Sequence, residues 1–364
     1  MKFRCERDVL LEAFNNAQRA TSSRAALPAL SGIRLQLSGD ELRVTGSDLD
    51  LTITTRVTVS GQEDGEVVLS AKLAVDIIRA LDPGAVNIEA SSERAHISSG
   101  RSNFELNTRP ADEYPTLADI EGERMTIAAQ AFEDGLKQVV RAASSDDSRP
   151  ILTGVLIAAE AEGVRMVATD SYRLAVRDLP SGTAALREGE SVLVPSRALS
   201  ELSRIMKQAE EIVLVLGQRD ASFEAGSIRL TTRLIEGDFP NYRGLIPQSQ
   251  PNQLTVDRLA FLDAVRRVRL MAQEGSPIRV NLSSESVELR ATNVEMGEAS
   301  EAVDAVYVGD EITVAFNPDY LIDGIEITPG DEITLNTVDE LKPALIRPVG
   351  DDELLYLLMP VRVS

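Results

Sequence analysis

A pattern that returns about every 122 residues constrains this chain more than any other feature. Leu-Arg-Val-Thr-Gly-Ser-Asp (42–48), Val-Arg-Met-Val-Ala-Thr-Asp (164–170) and Val-Glu-Leu-Arg-Ala-Thr-Asn (287–293) are strand-like runs, each ending in a small polar turn. Asp48 and Asp170 stand 122 apart, and Asp170 and Asn293 stand 123 apart. Other markers keep the period. Arg-Ala-Thr-Ser-Ser (19–23) answers Arg-Ala-Ala-Ser-Ser (141–145), Pro28 answers Pro150 and Gly32 answers Gly154. Three such periods nearly use up the 364 residues. The chain therefore reads as three related domains, 1–121, 125–247 and 252–364, with Ala118–Glu123 and the proline-bearing Gln248–Gln253 as linkers.

Apolar residues at helical spacing predict helices over 6–19, 71–81, 130–141, 196–207, 257–271 and 317–325. Leu10, Phe14 and Ala17 mark the first, Phe132, Leu136, Val139 and Val140 the third, and Phe261, Val265 and Val268 the fifth. Asn317-Pro318 fits an N-cap followed by proline at the first helical position. Between the helices lie short strand-like runs such as Ile33–Leu37, Ile212–Leu216 and Ile228–Thr232. The expected fold class is α+β: three tandem copies, each with two helices laid on an antiparallel, strand-rich remainder.

Composition narrows the chemistry. There is one histidine, one cysteine and no tryptophan. His96 lies in the alternating run Arg-Ala-His-Ile-Ser and reads as a solvent-facing strand residue; Cys5 reads as a small strand residue near the start. A single cysteine excludes an internal disulfide and a cysteine-built zinc site. Neither a Gly-x-Gly-x-x-Gly after a strand nor a Gly-Lys-Ser/Thr phosphate loop occurs. The carboxylate pairs Asp48/Asp50 and Asp146/Asp147 read as turn acids, without a base or ligand set beside them. No catalytic residue, metal or cofactor is expected. No apolar run approaches the roughly 20 residues that span a bilayer, and the first residues contain no apolar signal-type stretch. A cytoplasmic protein without membrane contact is the expectation.

Lys+Arg 37 against Asp+Glu 58 gives a net charge of −21, which argues against a simple basic coat for nucleic acid. The charge is unevenly spread. The six helical stretches together carry +2 and everything else −23. Lys72, Arg79, Lys137, Arg141, Arg197, Arg204, Lys207, Arg258, Arg266 and Arg267 interrupt their apolar stripes. Two readings stay open at this point. Helices tolerate Lys and Arg better than strands do; or a helical surface is kept cationic inside an acidic shell, so that a polyanion is met on one side only.

Three motifs carry a resemblance: Met-Val-Ala-Thr-Asp-Ser-Tyr-Arg-Leu-Ala (166–175), Glu-Gly-Asp-Phe-Pro-Asn-Tyr (236–242) and Tyr-Leu-Leu-Met-Pro-Val-Arg (356–362). With the triple repeat, the chain resembles the bacterial DNA polymerase III beta subunit family, the beta sliding clamps, from end to end. The resemblance implies a head-to-tail homodimeric ring around duplex DNA, bound without regard to sequence. It implies a non-catalytic tether for DNA polymerase III, the clamp-loader subunits and other proteins bearing Gln-x-x-Leu-x-Phe-like peptides.

It also implies site residues. The partner-peptide pocket would comprise Leu152, Thr169, Ser171, Tyr172, Arg173, Leu174, Pro240 and Leu245, closed by Asn317, Tyr320, Leu341, Pro343, Leu357, Met359, Pro360, Val361 and Arg362. Met359 and Pro360 are expected in the last strand. Arg24, Lys72, Arg149 and Arg197 match the family's basic positions toward DNA; the helical stripes add Lys137, Arg141, Arg204, Arg266 and Arg267. Phe104 would meet Leu270 and Met271 of a second subunit. Three departures stand out. Ser171-Tyr172 replaces a common Gly-His, Gly244 stands where a basic residue is frequent, and Pro150-Ile151 replaces aromatics that touch DNA in some members. The competing reading is a repeat-built protein scaffold that never meets DNA.

Overall fold

The computed structural model describes residues 1–364 except 23–26, 116–119, 121, 161–162, 181–189, 207–208, 274, 294 and 363–364. Its α-helices are α1 (Arg7–Gln18), α2 (Ala71–Ala80), α3 (Ala129–Val139), α4 (Ser196–Ile205), α5 (Arg258–Arg269) and α6 (Pro318–Ile327). All six lie where apolar spacing places them. Asn317 caps α6 by accepting from the backbone N–H of Asp319 at 2.9 Å and of Tyr320 at 3.3 Å. The helix then runs two residues past the expected end and takes in Glu326.

Every strand pairing among the described residues is antiparallel. One packing unit comprises chiefly Met1–Gln130 and Arg197–Leu234, the other chiefly Ala131–Ser181 and Ile235–Ser364. These units divide the central copy of the repeat, because its strands continue its neighbours' sheets. In the first unit Ile228–Arg233 pairs with Leu51–Thr58 and completes an eight-stranded sheet. In the second, Arg173–Pro180 pairs with Leu354–Leu358 within a sheet of twelve. A separate five-stranded sheet of the first unit ends on Ser102–Asn107, which among the described residues pairs only with Arg94–Ser99.

Strand alternation fixes which face is buried. Along Glu41–Ser47, Leu42 and Val44 are fully buried while Glu41 and Arg43 are exposed. Those inward residues meet Leu10, Phe14 and Ala17 of α1 and Ala74, Val75 and Ile78 of α2 in one core. Burial of each large side chain contributes about 1.5–3 kcal/mol. α1 lies so close to the sheet that a Cβ on Gly46 would sit 1.8 Å from the Ala17 carbonyl oxygen. Gly324 does the same for α6, where a Cβ would fall 2.5 Å from the Tyr356 ring.

His96 is exposed on Arg94–Ser99, and Cys5 is buried on Lys2–Glu6, as expected. Two expectations are corrected. The second linker ends earlier, at Pro251, because Asn252 opens a strand; its buried side chain donates to the Val338 carbonyl at 3.0 Å and accepts from Asp310 N–H at 3.0 Å. The last strand stops at Leu358, so Met359 and Pro360 lie beyond it. Pro360 has no N–H for a ladder. Met359 N–H turns instead to the Tyr172 carbonyl at 2.9 Å, and Val361 N–H to that of Ala315 at 2.8 Å.

Candidate protein-binding cleft and cationic helical surface

The residues expected to bind peptide gather where Arg173–Pro180 meets the last strand, with Arg173 opposite Leu358 and Leu174 opposite Leu357. Val167, Leu174, Val176, Tyr242, Leu345, Leu355 and Leu357 form a buried apolar cluster, and half-buried Leu156, Phe239, Ile246 and Met359 pack against it. The turn leading into Arg173 is held by side chains. Asp170 Oδ1 accepts from Tyr172 N–H at 2.9 Å and Arg173 N–H at 3.0 Å, and Thr169 Oγ1 accepts from Ser171 N–H at 3.2 Å. Ser171 has φ +82°, a left-handed conformation that glycine adopts more easily.

A polar stack flanks this cluster. Tyr172 and Tyr320 stack with ring centroids 6.4 Å apart, and the Arg173 guanidinium lies 4.4 Å from the Tyr320 centroid. Arg173 donates to Asp170 at 3.0 Å and also to Asp323. Tyr356 donates to the Tyr320 carbonyl at 3.0 Å, and burial pushes its hydroxyl well above the ordinary tyrosine range. A buried apolar cluster with half-buried neighbours and a few fixed polar groups beside it is the chemistry of a site for an apolar ligand.

Leu174, Leu357 and Met359 therefore share one cluster, and Tyr172, Arg173 and Tyr320 share the stack. Leu152, Leu245, Leu341, Pro343 and Arg362 belong to the same packing unit but not to the cluster. One expectation changes: Leu174 is only 1% exposed and Leu357 2%, so both back the cleft as core rather than line an open surface. Sequence reasoning marked Asp170 as the turn acid of the repeat but gave it no place in the site, and it did not single out Asp323 or Tyr242, although Tyr242 stands in the Glu-Gly-Asp-Phe-Pro-Asn-Tyr motif.

The basic residues occupy helical and loop positions in both units. Arg24 and Lys207 lie outside the described residues. Lys72 on α2 and Arg197 and Arg204 on α4 are exposed in the first unit; Lys137, Arg141, Arg149, Arg266 and Arg267 are exposed in the second. An acid answers nearly every one. Arg197 pairs with Asp48 at 2.7 Å, Arg204 with Glu201, Lys137 with Glu133 at 2.8 Å, and Arg149 with Asp146 at 3.0 Å. Arg267 meets Glu301 at 2.5 Å; Arg141 meets Glu326 at 2.5 Å and Asp323 at 3.3 Å; Arg266 meets the other Glu326 oxygen at 2.6 Å. Lys72 alone of these has no acidic partner among the described residues. The Arg141 hydrogen bond holds the Glu326 carboxyl below the ordinary glutamate range. Asp323 and Glu326 stand three residues apart, on one face of α6. That spacing was the signal for this acid pair.

Among the described residues no group of three or more His, Cys, Asp or Glu side chains is placed to hold a metal. Asp48 and Asp146 are engaged in turns, with Asp48 Oδ1 accepting from Leu51 N–H at 2.8 Å and Asp146 Oδ1 from Ser148 N–H at 3.0 Å. No described helix is long and apolar enough to cross a membrane.

Three family profiles match in succession: DNA polymerase III beta subunit N-terminal domain over 1–118, central domain over 126–241 and C-terminal domain over 243–362. The chain belongs to the DNA polymerase III beta subunit family. It is 34% identical over 375 residues to the beta sliding clamp of Streptomyces coelicolor and 33% over 381 residues to that of Bacillus subtilis, covering 100% of each chain. The solved DNA polymerase sliding clamp of Bacillus subtilis superposes with a TM-score of 0.95 at 32% identity, and the Pseudomonas aeruginosa clamp bound to griselimycin with 0.95 at 29%, each over 100% of both chains. The α+β triple repeat is the clamp fold.

Proposed function

We propose that this chain is a sliding clamp: a non-catalytic, cytoplasmic processivity factor of three domains, 1–121, 125–247 and 252–364, whose homodimeric ring encloses duplex DNA. The observation that carries the reading is the end-to-end agreement with sliding clamps in sequence and fold. Two open sheet edges suit ring closure. Ser102–Asn107 is paired on one side only, with Phe104 37% exposed. Gly297–Asp304 pairs with Ser286–Asn293 on one side, while its other side has no strand partner among the described residues until Ala305 meets Val256. Leu270, 76% exposed, follows α5 in that same unit. A head-to-tail contact between two such edges must close into a ring or propagate as a filament.

Arginines that pair with acids at rest hold DNA loosely, through phosphates and without reading bases. Free ring movement needs that. The apolar cleft beside Arg173 takes the Gln-x-x-Leu-x-Phe-like peptides of polymerase III, clamp-loader subunits and other partners. The deciding experiment loads the protein on nicked circular DNA, passes the complex through a high-salt gel-filtration column, and then linearises the DNA. A clamp is retained on the circle and lost on linearisation. A scaffold that never meets DNA is retained on neither.

A further inference from the structure

Asp323 belongs to both candidate surfaces of the second packing unit. Its Oδ2 accepts from Arg173, and its Oδ1 accepts from Arg141 at 3.3 Å. Beyond Arg173, the chain of contacts runs to Asp170 at 3.0 Å and onto the Tyr320 ring. Beyond Arg141, it runs to Glu326 at 2.5 Å and from there to Arg266 at 2.6 Å. An unbroken series of ion pairs thus joins the wall of the apolar cleft to two helical arginines. Its two ends differ in exposure: the Arg173 side chain is 12% exposed, those of Arg141 and Arg266 51% and 49%. The outer arginines are open to an arriving anion; the inner one is not.

We propose that Asp323 is a positioning residue that couples phosphate binding at Arg141 and Arg266 to peptide binding in the cleft beside Arg173. The proposal rests on the sliding-clamp reading above. A phosphate offers a guanidinium a paired, charge-assisted contact, and of Arg141's two acidic contacts the 3.3 Å hydrogen bond to Asp323 is the longer and yields first, ahead of the 2.5 Å pair with Glu326. When Arg141 turns to phosphate, Asp323 keeps Arg173 as its only cationic partner. The undivided carboxylate then holds the Arg173 guanidinium against Tyr320, on which Tyr172 stacks. The polar wall of the cleft is ordered before the peptide arrives, which lowers the cost of binding it. Duplex DNA therefore tightens the peptide, and by linkage the peptide tightens the duplex by the same factor.

The test titrates the full-length protein into a fluorescein-labelled Gln-Ala-Asp-Leu-Ala-Phe peptide at constant ionic strength, with and without a saturating short DNA duplex. In the wild type the duplex tightens the peptide about fivefold, and the peptide tightens the duplex equally. In Asp323→Asn the ratio of peptide affinities with and without duplex falls to one, whatever the affinity for either ligand alone; Asp323→Glu, which keeps the charge, restores the ratio. Wild-type protein that binds both ligands without coupling overturns the proposal, as does undiminished coupling in the Asn variant. If the peptide alone fails to bind, or the protein is not retained on nicked circular DNA, the sliding-clamp reading has failed and the coupling falls with it; a short duplex that fails to bind a protein retained on the circle overturns the coupling alone. Should the Asn variant not fold by circular dichroism, Asp323→Ser replaces it, and the wild-type reciprocity still decides.

Discussion

Leu49 and Ser171, 122 positions apart, hold the same left-handed backbone with φ +82°. The hydrogen bonds around them match as well. Leu49 N–H donates to Ser47 Oγ at 3.1 Å as Ser171 N–H does to Thr169 Oγ1 at 3.2 Å. Asp48 accepts from Asp50 and Leu51 as Asp170 does from Tyr172 and Arg173. In the third copy Asn293 accepts from Glu295 and Met296. One side-chain-built turn is reused three times, and the second use delivers Arg173 to the cleft.

Holding a residue with a Cβ in that conformation costs about 1–2 kcal/mol. Ser171→Gly is therefore expected to raise the urea unfolding midpoint, by the equivalent of about 1 kcal/mol, and Ser171→Val to lower it. Chemical denaturation of the three proteins side by side checks the order.

Much of this was legible because it is local. The period, the six helices and the Asn317 cap follow from apolar spacing and turn chemistry within a few residues. The end of the last strand was not: Pro360 signalled it, but the residues that take over, Tyr172 and Ala315, are far away in sequence. The same holds for the cationic helices. Counting charges per helix does not show which elements meet: Asp323 and Glu326 of α6 pair with Arg141 and Arg266 from other parts of the chain. Leu174 and Leu357 do share one cluster, yet their near-complete burial depends on Tyr242, Leu345 and Leu355 behind them.

Phe104 offers the cleanest test of ring closure, because it is exposed on an open edge and supports no core of its own subunit. Phe104→Asp is expected to convert dimers to monomers of 39.4 kDa by sedimentation equilibrium, with the thermal melt little changed. A mutant that stays dimeric at nanomolar concentration places the interface elsewhere.

Glu326 competes with phosphate for two arginines, so its removal should act opposite to removal of an arginine. Glu326→Gln is expected to tighten duplex binding and to steepen its salt dependence, by about 0.9 in the log–log slope for each additional phosphate neutralised. Arg266→Glu is expected to weaken binding and flatten the slope. Fluorescence titrations across a salt series separate the two outcomes.

The same carboxyl gives a pH signature. Its folded-state value is depressed by the Arg141 hydrogen bond, so its contribution to stability is fully present above the unfolded value of about 4.3. It is lost as pH falls through the lower folded value. Wild type should exceed Glu326→Gln in urea midpoint at neutral pH, and the gap should close only under acid conditions below about pH 4. A gap that stays unchanged well below pH 4 contradicts the assignment.

The peptide cleft needs a probe that spares the fold. Leu174→Ala would cost about 2–5 kcal/mol, since it empties a core position, and any loss of binding would be confounded with unfolding. Deleting the residues from Met359 onward removes two backbone donors, those to Tyr172 and Ala315. Met359 itself is half-buried at the rim of the cluster. Met359→Asp retains both backbone hydrogen bonds while setting a charge where a leucine or phenylalanine must insert. Losing one apolar anchor of about 1.5–3 kcal/mol weakens a peptide tenfold or more. Anisotropy with a Gln-x-x-Leu-x-Phe-type peptide should register that loss, while sedimentation shows an intact dimer. Unchanged affinity in Met359→Asp would mean that the peptide docks on another surface.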